Sequence, residues 1–312
     1  MNFRLTSFPF IRYQRFFVTL SVILVSGSLF LTFYRGLHYG TDFTGGIKLQ
    51  YRFTEALSEE RLRSLLDPKL LGDALLGDFT IQRVGPDKEN RFALKFQQKE
   101  GIAIEALSKR VQASFQQKGV SATLEQEDAV GPKAGKELRK KGQLSLIVAC
   151  LLILIYIGYR FDFYFAPGAI IALIHDVLVT VGGLALTGRE FTLTTVAALL
   201  TIIGYSVNDT IIIYDRVRED LKKHPKMPLP ELVNLSINET LSRTIITSLT
   251  VFFVVTILYL FGEGEIEGFG FAMIIGVVAG SYSTIFVASP VYLFLKKWVP
   301  RLEVWWQARK QA

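Results

Sequence analysis

The chain has 312 residues, 50% of them hydrophobic, and a formal net charge of +7. Those totals would fit a soluble domain, but their distribution excludes one: charges gather in a few stretches, and between them lie apolar runs long enough to cross a hydrocarbon core of about 30 Å. The basic excess sits at the ends of the runs with no nucleic-acid motif, which excludes nucleic acid as a partner; the single cysteine, Cys150, lies inside an apolar run and excludes a disulfide framework or a cysteine metal site.

In chain order, residues 1–15 read as a basic segment carrying Arg4, Arg12 and Arg15, and 16–34 as a first span. The apolar run is longer than a signal-peptide core and no small-x-small cleavage site follows, so a retained helix is expected. Residues 35–141 are mostly polar and read as an inserted domain. A strand is expected over 46–54, where Ile47, Leu49, Tyr51 and Phe53 alternate. A short helix over 58–66 has Ser58 as its N-cap. Strands over 79–83 and 91–96 follow, with Gly85-Pro86-Asp87 beginning the turn between them. An amphipathic helix over 104–117 places Leu107, Val111 and Phe115 on one face and ends near Gly119. A last short strand covers 122–126. The order β-α-β-β-α-β is that of a ferredoxin-like unit.

Five more spans are expected over 142–159, 165–186, 193–214, 244–261 and 269–295, with a loop over 215–240 and a tail over 296–312. Pro290 would kink or break the last span. The fold class is therefore an α-helical polytopic membrane protein with six transmembrane helices and an inserted α+β, ferredoxin-like extracytoplasmic domain. The N-terminus, the turn at Arg160, the loop after Arg216 and the tail with Lys296, Lys297, Arg301, Arg309 and Lys310 are basic. The short loop Gly262-Glu263-Gly264-Glu265-Ile266-Glu267 has no basic residue. Both termini are accordingly expected in the cytoplasm, and the inserted domain outside.

Ionisable groups inside the spans carry the functional information, since each costs about 2.5–3.5 kcal/mol at a helix centre. Asp209 lies about 7–8 Å inside the cytoplasmic end of the fourth span, counted from Tyr214 at 1.5 Å per residue. Thr201, Tyr205, Asn208 and Asp209 fall on one face by helical spacing, expected to look inward. Asp209 is either a hydrogen-bonded packing residue or a working carboxylate. Arg243 begins the fifth span in a second polar stripe with Thr240, Thr244, Thr247 and Ser248. It either snorkels to the headgroups or faces inward, at a depth that permits a pair with Asp209. His175 and Asp176 sit mid-way along the third span, about 100° apart, so that only Asp176 is expected on the inner seam. A proton relay and a static hydrogen-bonded role are both open for them. Ala272, Gly276, Ala279, Gly280 and Ser283 on the sixth span read as close helix packing.

Several linked motifs resemble those of the SecD/SecF protein-export family. Gly40-Thr41-Asp42-Phe43-Thr44-Gly45-Gly46 is similar to its G-x-D-F-x-G-G signature, in which Asp42, Gly45 and Gly46 are structural. Val130-Gly131-Pro132-Lys133-Ala134-Gly135 resembles its V-G-P-x-x-G block, with Gly131 and Pro132. Gly204 to Thr210, Leu241 to Ser248 and Gly268 to Gly276 are similar to its fourth-, fifth- and sixth-span blocks. The small outer domain and six spans fit the SecF-type member better than the SecD-type one. The resemblance implies kinship with resistance-nodulation-division transporters. It also implies partnership with SecD and the SecYEG channel, with YajC as a further candidate, and preprotein export across the inner membrane driven by the proton-motive force. It implies proton transport by Asp209 and Arg243; Asp176, His175, Asn208 and Tyr205 are further candidates. No cofactor, metal or enzymatic nucleophile is expected. A small-molecule exporter on the same plan and a passive scaffold for SecD are the alternatives.

Overall fold

A computed structural model describes residues 8–66, 79–84, 90–96, 104–161 and 164–298. The expected turn at Gly85-Pro86-Asp87 and the tail beyond Trp298 lie outside them. Among the described residues, six helices are long and apolar enough to cross a membrane: Phe10–Arg35, Pro132–Arg160, Ala166–Thr187, Leu193–Lys223, Leu229–Phe261 and Glu265–Trp298. They are called the first to sixth spans.

Several helices outrun the expected spans. The segment 215–240 is not a loop: the fourth span continues to Lys223 and the fifth starts at Leu229, leaving residues 224–228 between them. The extensions persist because their inner faces still pack, with Val217, Leu232, Val233 and Ile237 in one apolar cluster. The sixth span does not break at Pro290. It passes through a π-helical turn, Thr284–Ala288, and stays helical to Trp298; the wider turn gives the proline ring room beside the carbonyls of the turn before it.

The third, fourth and sixth spans form the centre. Half or more of their apolar windows is buried, 50%, 56% and 61%, against 11% for each of the other three. The central spans approach closely because glycines face large neighbours. A Cβ on Gly276 would lie 2.1 Å from Ile202, and one on Gly168 would lie 2.5 Å from the Tyr214 hydroxyl.

The inserted domain has a sheet of β2 (Gly46–Phe53), β3 (Phe79–Val84), β4 (Arg91–Phe96) and β5 (Ala122–Val130) in the order β3-β4-β2-β5. All three pairings are antiparallel, as the ferredoxin-like reading requires. β5 reaches Val130, four residues past the expected end, because β2 pairs along its whole length down to Gly46↔Val130. Ile47, Leu49, Tyr51, Phe53, Phe92 and Leu94 turn one face of the sheet toward Leu62 and the helix Ile104–Gln117. Burial in this core pushes the Tyr51 hydroxyl up to about 12, while its O–H donates to the Ser108 carbonyl at 3.3 Å. Ser58 caps the short helix Glu59–Leu65 by accepting from Arg61 N at 3.2 Å.

The opposite face of the sheet is basic and rests on acidic loops of the membrane part. Lys95 pairs with Glu190, Arg91 with Glu263, and Lys48 with Glu265 at 3.6 Å. A parallel bridge joins β1 (His38–Tyr39) to β6 (Glu190–Phe191). Asp42 accepts from the backbone N–H of Leu193 at 2.8 Å, so its carboxylate meets the N-terminus of the fourth span. Thr192 completes that end as a capping box with Thr195.

Gly45 and Gly135 let the two glycine-rich motifs interlock. A Cβ on Gly45 (φ +73°) would stand 2.7 Å from Pro132 Cα, and one on Gly135 would stand 2.9 Å from Gly45 N. Gly119 has the same positive φ, +73°, with nothing within 4 Å. Gly119→Ala should therefore lose about 1 kcal/mol, the backbone term alone. Gly45→Ala should lose more than about 2 kcal/mol, because backbone atoms must also move. Thermal unfolding of the two variants in detergent checks the order.

Candidate functional site

Two carboxylates are fully buried among the central spans, and they are treated in opposite ways. Asp176 sits where the third, fourth and sixth spans meet. Ser206 Oγ donates to its Oδ2 at 2.6 Å and Ser283 Oγ donates to the same oxygen at 2.9 Å. Its Oδ1 lies 3.0 Å from His175 Nδ1. Gly280 makes room for this meeting, since a Cβ there would approach Ser206 Cβ to 3.2 Å and Asp176 Oδ2 to 3.6 Å.

The expectation that His175 leaves the seam is corrected. Both residues are buried, at 4% and 0% exposure. The 100° between successive Cβ directions separates their stems, but an imidazole is long enough to swing its Nδ1 back to the neighbouring carboxylate. The ring stacks on Tyr282 with centroids 5.8 Å apart. Tyr282 in turn donates to the Phe17 carbonyl at 2.6 Å and accepts from Ser21 Oγ at 2.9 Å, tying the first span to this cluster. His175 Nε2 is buried without a hydrogen-bond partner.

Asp209 lies one helical turn beyond Ser206, about 4.5 Å along the fourth span. It is fully buried, and neither of its carboxylate oxygens has a hydrogen-bond partner. Arg243 does not touch it. The guanidinium is exposed on the fifth span and acts on Asp209 only through space. The expected inward face is only partly inward. Tyr205 is half-buried, whereas Thr201 and Asn208 are exposed, as is Gly204 beside them. Helical spacing put these residues on one stripe, but the stripe is wide enough that Asp209 lies under the neighbouring helices while Asn208 lies outside them.

Tyr205 anchors a second polar chain. Its O–H donates to Ser248 Oγ at 2.7 Å, and Ser248 and Ser281 are 2.8 Å apart. Ser281 gives its one proton to the Val277 carbonyl, so it accepts from Ser248. The chain therefore runs in one direction, from the fourth span to the fifth to the sixth. Beside it Thr244 Oγ1 is buried without a partner.

Sequence reasoning missed the serines as functional groups. Ser283 was read within a stripe of small residues, where packing explains the spacing, and only its hydroxyl distinguishes it from the alanines. A further missed carboxylate is Asp220, 1% exposed, which accepts from Ser236 Oγ at 2.7 Å and lies 3.4 Å from Arg216 Nε. Among the described residues, no group of three or more His, Cys, Asp or Glu side chains could hold a metal ion.

Ser283→Ala should lower stability by about 1–3 kcal/mol, because part of a buried carboxylate loses its donor. Asn208→Ala should stay within about 0.5 kcal/mol, as its side chain is exposed. Thermal midpoints in the same detergent measure both.

Residues 110–298 match the family described as protein export membrane protein SecD/SecF, C-terminal, and residues 30–56 match the SecD/SecF GG motif. The chain is 40% identical over 295 residues to protein translocase subunit SecF of Calditerrivibrio nitroreducens, covering 93% of this chain and 95% of the relative. It is 41% identical over 305 residues to protein translocase subunit SecF of Desulfurispirillum indicum, covering 96% and 95%. The crystal structure of SecDF, a translocon-associated membrane protein from Thermus thermophilus, superposes with a TM-score of 0.84 at 33% identity, over 95% of this chain. The match takes up 40% of that longer chain. SecDF in its super-membrane-facing form gives 0.70 at 32% identity, over 100% of this chain and 41% of the other.

Proposed function

The chain belongs to the SecD/SecF family of protein-export membrane proteins, and from that membership we propose that it is the SecF-type subunit of the Sec translocase, using the proton-motive force with SecD to promote preprotein export. The proposed setting is the inner membrane, with both termini in the cytoplasm and the ferredoxin-like domain outside. Its proposed partners are SecD, the SecYEG channel and the preprotein in transit, with YajC as an accessory.

The observation that carries this reading is the buried, unmatched carboxylate of Asp209 beside an exposed polar face on the same helix. A charge there is costly, and a proton removes the cost. Protonated, Asp209 is a neutral side chain and makes no demand on Arg243. Deprotonated, it attracts the Arg243 guanidinium across the gap between the fourth and fifth spans. The two states favour different spacings of these helices, and each proton cycle moves the pair between them. Moving one charge through 100 mV supplies about 2.3 kcal/mol, enough to shift such an equilibrium about fiftyfold. The exposed face of Thr201, Gly204 and Asn208 is where SecD would shield the site from lipid.

Asp176 and His175 are the second station in this reading. Ser206 touches Asp176 and lies one turn from Asp209, so a proton on Asp209 is felt at the cluster through a single helix. Asp209→Asn should abolish proton-driven stimulation of export in vesicles, by at least about tenfold in rate, while the protein accumulates in the membrane as usual. A variant that keeps full stimulation would leave the chain as a scaffold for SecD. His175→Asn should shift the pH dependence of stimulation without removing it; an unchanged pH profile would make the His175–Asp176 pair purely structural.

A further inference from the structure

Below the proton-handling cluster, at the end where the first span begins and the sixth ends, a groove of about 810 Å³ runs between the first, fifth and sixth spans. Its wall is divided by chemistry. Toward the aqueous end stand Arg15, Lys296 and Lys297 with Gln14 and Trp298; toward the hydrocarbon stand Val18, Val291, Leu293 and Phe294. Among the described residues, no acidic one lines it. From Pro290 to Trp298 the sixth span rises about 12 Å, so the groove descends from headgroup depth into the upper acyl region.

We propose that this groove binds an anionic phospholipid, with Arg15, Lys296 and Lys297 holding the headgroup phosphate and the apolar wall holding the start of an acyl chain. Three observations select this occupant. Among the described residues the lining carries three positive charges and no negative one, which complements a headgroup of net negative charge better than one whose phosphate is already balanced by its own cation. The cations sit on one rim only, as an amphiphile requires and an apolar partner helix does not. Trp298 is 44% exposed at the rim, the position where indole rings mark the headgroup layer. Lys296 also sets its Nζ 4.3 Å from the centre of the Tyr164 ring. Arg15 and Lys297 are exposed at the mouth.

The site is separate from the proton reading, which uses neither Arg15 nor Lys297. A bound lipid would bridge the first and sixth spans. Those spans already meet through Phe17 and Phe286, stacked with centroids 3.8 Å apart.

Native mass spectrometry of the full chain in detergent, titrated with phosphatidylglycerol or phosphatidylcholine, tests the proposal. The wild type should retain phosphatidylglycerol at least about tenfold more tightly. Arg15→Gln with Lys297→Gln should reduce that preference to about twofold or less, and high salt should weaken it. Inorganic phosphate at millimolar concentration should not displace the lipid, because the acyl wall contributes to binding. Three results would overturn the proposal: equal retention of the two lipids, displacement by phosphate alone, or a photo-crosslinker at Val291 that captures a protein helix instead of lipid in native membranes. The double variant should keep the wild-type thermal midpoint, and a folded variant with unchanged lipid preference also counts against the site.

Discussion

A carboxylate inside a membrane cannot turn to water, so the protein must either surround it with donors or leave it to be neutralised. Asp176 takes the first course. Hydroxyls from the fourth and sixth spans and an imidazole from its own helix converge on it, and this convergence fixes how the three central spans sit. The glycines at 276 and 280 are needed because hydroxyl–carboxylate contacts of 2.6 and 2.9 Å require close backbones. The first, second and fifth spans, each mostly exposed, are arranged around that centre. Asp209 takes the second course. The fourth span thus carries both a donor to the satisfied carboxylate, Ser206, and the unsatisfied carboxylate, Asp209, a turn apart.

The inserted domain was legible because its signals are local. Alternation in β2 and β4 places every large apolar residue on one face, and the amphipathic helix over 104–117 supplies the matching stripe. The length of β5 was not legible. Its sequence, Ala122 to Val130, is mostly polar, since an edge strand with one open face needs few apolar residues, and its extent is set by pairing with β2. Span ends were misread for a related reason. Hydropathy reports where lipid stops, but a helix stops where its packing and capping stop. Lys222 and Lys223 mark water and still belong to the fourth helix.

The membrane cost of ionisable groups located Asp209, Asp176 and Arg243 without any coordinates. What it could not give was partnership. Equal depth made an Asp209–Arg243 pair attractive, yet depth says nothing of rotation about the helix axis, and Arg243 faces out. The wheel placed Asn208 with Asp209, but a boundary between buried and exposed runs between them. For His175 the wheel counted Cβ directions and ignored side-chain length. The serines were hidden by their size, because a small residue facing a neighbour has the same spacing whether it is there for fit or for its hydroxyl.

The glycine-rich signature after the first span can be understood through the same fourth helix. Gly45 and Gly135 bring the two motifs into backbone contact, which positions Asp42 to accept from Leu193 N. Leu193 opens the helix that carries Asp209, about 24 Å away at 1.5 Å per residue. The loop just before it holds Glu190, which pairs with Lys95 on the sheet. A helix is stiff along its axis, and this one runs unbroken from Leu193 to Lys223. At its Leu193 end it meets a domain fastened by a backbone bridge, a helix cap and ion pairs whose cations are 9–11% exposed and whose acids are 26–45% exposed. The domain and the buried carboxylate are therefore joined through one continuous helix, with the signature motif at its outer end.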